Sequence, residues 1–183
     1  MSSIFDVKAT QLIKAQALLA FLLGGCGGDL STPNHGIGEL QFPSRTDFPG
    51  VSDAMQVRCG TLDCHGQIGR NLRLYGHYGM RLKETDNPFD PPMSSEEEYE
   101  ASYLSVTRLE PEILSKVVKK EAATIDLTFV RKPRGLEHHK GHQLMSQGDP
   151  LDRCIVGWLT GAFDADACTA VTTAPKPQPD GGQ

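Results

Sequence analysis

Two cysteines with four residues between them, and a histidine fused to the second, constrain this chain more than any other feature of its 183 residues. The run Cys59-Gly-Thr-Leu-Asp-Cys64-His65 supplies what covalent haem attachment requires: two thiols that form thioethers to the vinyl groups and an imidazole that ligates iron. The commonest such motif places two residues between the cysteines. Here the spacer is longer, but the chemistry depends on two thiols reaching two vinyls and on the Cys64-His65 adjacency, which is kept. The same pair of thiols also fits a plain disulfide.

The beginning of the chain reads as an address. Lys8 and Lys14 precede an apolar run from Ala15 to Leu23, and Leu23-Gly24-Gly25-Cys26 follows, so residues 1–25 read as a secretory signal peptide. The run is too short to span a bilayer in a mature protein, and a short buried helix is the rival reading. Leu-Gly-Gly-Cys resembles a bacterial lipobox, which implies a lipid on Cys26 and a membrane anchor on the periplasmic side, the outer membrane ahead of the inner. Residues 26–50 are rich in Gly, Pro, Ser and Thr and read as a flexible linker, and residues 171–183 read as a disordered tail. The folded domain is expected over 51–170. In an oxidising compartment the five cysteines divide without remainder: Cys26 to lipid, Cys59 and Cys64 to haem, and Cys154 with Cys168 as a disulfide. A formal net charge of −5 with scattered Lys and Arg gives no field for a nucleic-acid backbone, so nucleic acid is excluded as a partner.

Within the domain the pattern is mostly helical with long loops. Asp53 to Cys64 reads as a short helix or turn entering the motif, and Asn71 to Tyr75 alternates like a brief extended segment. Ser95-Glu-Glu-Glu98 is a capping box that opens a helix with Tyr99, Tyr103 and Val106 on one face, and its carboxylates read as a solvated helix start. Pro111 opens another, carrying Ile113, Leu114, Val117 and Val118 and closing on Lys119 and Lys120. Asp149 and Pro150 begin the last, whose stripe Leu151, Cys154, Ile155, Trp158 and Leu159 stops near Gly161. Trp158 is expected in the core with a partner for its indole nitrogen.

An iron held by His65 needs a second ligand or an open face. The candidates are His77, Met80, a thioether that raises the potential, Met93, Met145 and the cluster Glu137-His138-His139-Lys140-Gly141-His142, three imidazoles in a glycine-containing loop. No hydrolase elbow, phosphate loop or dinucleotide fingerprint is present.

The run from Cys59 to Gly66, then Arg70 to Tyr75, then Lys132-Pro133 leading to His139 and Gly141, then Cys154-Ile-Val-Gly-Trp158-Leu159 and Gly161, resembles the cytochrome c-like domains of exported bacterial proteins. The resemblance covers roughly residues 55 to 163. It implies a small cytochrome c-like helical domain flanked by disordered termini, in which the first and last helices pack together around one covalent haem c. It makes Cys59 and Cys64 the thioether sites, His65 the proximal ligand and His139 the distal one, with His138, His142 and Met80 as alternatives. The function implied is single-electron transfer outside the cytoplasm to redox partner proteins by a lipid-anchored, monomeric monohaem cytochrome, an electron carrier rather than an enzyme. A peroxidase role would need an open distal face. The alternative is a haem-free envelope lipoprotein stapled by two disulfides, with a structural or interaction role; a zinc site using the histidine cluster with Cys64 or His65 is the third reading.

Overall fold

The chain enters the fold earlier than its composition suggests. In the computed structural model, which describes residues 39–85 and 93–174, the Pro43 carbonyl accepts the Tyr103 hydroxyl at 2.9 Å and the Ser44 carbonyl accepts the Trp158 indole N–H at 2.6 Å. Phe48 is buried, and its ring lies 5.1 Å from that of Trp158 and 5.3 Å from that of Tyr103. The end of the expected linker is therefore packed, because its backbone carbonyls satisfy the two polar tips that the core aromatics would otherwise leave unpaired. The signal segment, Cys26 and the residues beyond Ala174 lie outside the described residues.

Six α-helices and one short 3-10 turn make up the described fold: α1 (Phe48–Cys59), α2 (Glu96–Thr107), α3 (Pro111–Val118), the turn Thr124–Asp126, α4 (Thr128–Arg131), α5 (Pro150–Thr160) and α6 (Ala165–Thr173). Among the described residues there is no strand, only a single bridge between Tyr75 and Met80. Asn71 to Tyr75 is thus not a strand, although Leu72 and Leu74 alternate inward as its pattern requires.

Helix α1 is central. It packs against α2, α5 and α6, and Val51, Ser52, Ala54, Met55, Gln56 and Cys59 are all buried along it. A helix covered on several sides carries no single apolar stripe, so its start is hard to see in the sequence. Its buried Gln56 amide donates to Ser52 and to Ser94, which satisfies a group that burial would otherwise penalise.

The caps act as expected at α2 and α5. Ser95 accepts from the Glu98 N–H while the Glu98 carboxylate accepts from the Ser95 N–H, and Asp149 accepts from the Asp152 N–H. Glu98, however, is not solvated. It is fully buried, its carboxylate paired with Arg81 at 2.8 Å and bonded also by the Leu82 N–H, so the helix start is pinned to the segment before it.

The tryptophan-bearing helix is not the last one. After Gly161, in the left-handed region at φ 75°, the chain turns back as α6, capped by Asp164 and held to α5 by the Cys154–Cys168 disulfide. Close approach is allowed because Gly157 has no side chain: a Cβ there would overlap the Ala162 carbonyl. Residues 171–173, expected in the tail, belong to this helix.

Candidate functional site

The attachment loop begins where α1 ends. Gly60 donates to the Gln56 and Met55 carbonyls, Cys64 N–H closes a turn on the Thr61 carbonyl at 2.9 Å, and His65 N–H reaches back to the Cys59 carbonyl at 2.9 Å. The two extra residues of the spacer are thus taken up in one turn, and a hydrogen bond still ties His65 to Cys59. Gly66 and Gly79 let the loop close on itself, since a Cβ on either would overlap the Gly60 carbonyl. Arg70 braces the loop from outside, its guanidinium donating to the Cys64 carbonyl at 3.1 Å.

Cys59 and Cys64 are separate thiols, the first buried and the second half-buried. The two-disulfide alternative has one of its bridges, Cys154–Cys168, and not the other.

His65 is half-buried, and its Nδ1 lies 3.0 Å from the Leu72 carbonyl. A carbonyl only accepts, so this contact fixes the proton on Nδ1 and leaves Nε2 with its lone pair. Burial, more than any other influence, lowers the His65 pKa below the usual imidazole range; the carbonyl opposes this, and His139, Arg70 and Lys132 add to it. The neutral, metal-binding form is favoured.

The histidine cluster sits on a loop tied at both ends. Pro133 carbonyl accepts from Leu144 and Met145 N–H at 2.8 and 3.1 Å, Arg134 pairs with the buried Asp152 of α5, and Glu137 pairs with Arg131 and Lys132. Arg58, next to Cys59, donates to the Leu144 carbonyl at 3.1 Å, joining the loop to the end of α1. A cavity of about 370 Å³ opens beside it, lined by Leu136, Glu137, His138, His139 and His142 among others.

Of the three imidazoles it is His139 that comes to His65. Their ring centres are 6.1 Å apart and their planes differ by 17°. His139 also places its Nδ1 against a carbonyl, that of His142, at 3.1 Å, so both rings keep Nε2 for a ligand. His138 and His142 are exposed. Met80 is held in a different turn, where its carbonyl accepts from Gly76 N–H, and Met145 is a core residue. Tyr103 and Trp158 belong to the core as well, as their helical positions suggest. The segments carrying the two histidines also present exposed apolar side chains, Leu62 and Ile68 on one and Leu136 on the other.

Sequence reasoning missed the carbonyls of Leu72 and His142 and the braces Arg58, Arg70 and Arg134. Backbone acceptors have no residue signature, and Arg58, 86 residues from its partner, has no local one. Compared with protein-family models, with curated proteins and with solved structures, the chain matches none.

Proposed function

We propose that the chain is a monohaem c-type cytochrome with a cytochrome c-like fold, carrying single electrons outside the cytoplasm, in which Cys59 and Cys64 would hold the haem through thioethers and His65 and His139 would ligate its iron. The observation that carries the reading is the pair of near-parallel imidazoles 6.1 Å apart, each with Nδ1 committed to a backbone carbonyl. An imidazole held as the Nδ1–H tautomer keeps Nε2 for a metal, so His65 and His139 are the two side chains that would hold the iron.

The donor set favours haem over a bare ion. Among the described residues no group of three or more His, Cys, Asp or Glu side chains is placed to hold a metal. A structural zinc site draws four ligands from the protein, whereas haem iron draws one or two. A haem held here would supply a one-electron iron couple. The chain's own part is to fix both imidazoles as Nδ1–H tautomers, to tie His65 to Cys59, and to join the two ligand segments through Arg58. Export and a lipid on Cys26 complete the reading, placing the carrier at a bacterial envelope where its partners are redox proteins.

The test is expression of the full chain in a host with a working cytochrome c maturation system. Haem absorbance retained after denaturation, and a haem-sized addition on the peptide spanning Cys59 to His65, are expected. His65→Ala should lose the low-spin spectrum altogether, and His139→Ala should convert it to a form that binds added imidazole or carbon monoxide. A colourless wild-type protein would overturn the reading.

A further inference from the structure

We infer that His142 and Gly141 are positioning residues for His139, and that the turn His139-Lys-Gly-His142 orients the second imidazole by itself. The inference rests on the haem reading for its consequence but not for its geometry.

The turn is closed twice. His142 N–H donates to the His139 carbonyl at 2.9 Å, and His139 Nδ1 meets the His142 carbonyl at 3.1 Å. Both bonds join the same two residues, so the His139 ring takes its direction from its own turn. The geometry depends on an uncommon backbone, since His142 has φ 58°, in the left-handed region that few residues other than glycine adopt. Nothing in the His142 side chain accounts for it: that side chain is exposed, and the turn uses only the backbone N–H and carbonyl of His142. Backbone in this region persists where the surrounding turn holds it, as the two His139–His142 bonds do here.

Gly141 supplies the second constraint. A Cβ there would lie 3.2 Å from Cε1 and 3.5 Å from Nδ1 of His139, so the ring lies close over the turn and any side chain would push it away. The two ligands therefore differ in how they are held. His65 leans on the carbonyl of Leu72, a residue of the core, and its own carbonyl accepts from Leu74 N–H at 2.9 Å, whereas His139 leans on a surface turn.

The imidazole tautomers of the full chain without haem, read by nitrogen-15 NMR, test this directly. Wild type should show His65 and His139 both as Nδ1–H. His142→Pro, whose ring fixes φ near −65° and removes the N–H, should lose the Nδ1–H signal at His139 and keep it at His65. His142→Gly, which accepts the left-handed backbone, should restore it, and Gly141→Ala should shift the His139 ring resonances with the fold intact by circular dichroism. In the haem-loaded protein, His142→Pro and Gly141→Ala should change the midpoint potential and weaken the low-spin spectrum, and His142→Gly should not. An unchanged His139 tautomer in His142→Pro, or in Gly141→Ala a ring and spectrum identical to wild type, would overturn the inference. A wild type that takes up no haem would instead remove the proposed function and leave the tautomer experiment standing.

Discussion

Cys59 and Cys64 share a motif and differ in chemistry. Burial pushes the Cys59 thiol up to about 12, with Arg58 opposing the effect and Cys64 adding to it, while Cys64 is half-buried. Because the thiolate is the reactive form, the haem-free folded protein should be alkylated at Cys64 and spared at Cys59 near neutral pH, with both modified once it is unfolded; peptide mass spectrometry reads the difference. Asp53 carries a second prediction. Burial raises its pKa, and the Tyr99 hydroxyl, donating to both carboxylate oxygens at 3.1 Å, and His77 oppose the rise. The folded state thus holds the Asp53 proton more tightly than the unfolded chain, so its contribution to stability falls as pH rises above the ordinary carboxylate range. Asp53→Asn keeps an acceptor for Tyr99 and should raise the denaturation midpoint at neutral pH, with the gain vanishing on acidification toward about pH 4. Equal midpoints at both ends of that range would refute the assignment. The sequence showed that Ser95 and Glu98 cap a helix; it could not show that the same carboxylate is buried on Arg81, seventeen residues away.

At the scale of elements, what was legible followed the caps. Helices α3 and α5 announce themselves by Pro111 and Asp149 ahead of a one-sided apolar stripe, and α2 by its capping box at Ser95. Helix α1 has no clean stripe because α2, α5 and α6 cover it, and α6 is built from Ala and Thr, which pack closely without a strong hydropathy signal. His139 stood out among its neighbours through the glycine two residues on, and in the structure a Cβ on that glycine would lie 3.2 Å from the His139 ring. The tie between α5 and the start of the fold is the sharpest test of packing. Trp158→Phe keeps an aromatic ring in the cluster with Phe48 and Tyr103 but removes the indole N–H that the Ser44 carbonyl accepts. A loss of about 1–3 kcal/mol in denaturant titration is expected.

For the molecule as a whole, the disulfide adds what a small core lacks. Cys154 and Cys168 are both buried and fourteen residues apart, and a loop of that size constrains the unfolded chain by about 3 kcal/mol. Cys154→Ala with Cys168→Ala should lower stability by roughly that amount, somewhat offset or enlarged by how the two small cavities close. Thermal unfolding with and without reductant checks it: the wild type should respond to reductant and the double variant should not. The bond from Trp158 to Ser44 spans 114 residues. Contacts of such separation form late, and a chain made from its N-terminus releases α1 long before α5 and α6 exist to cover it. As the chain emerges there is accordingly an interval in which Cys59, the less reachable of the two described thiols, stands open to modifying chemistry, and the arrival of the last two helices ends it.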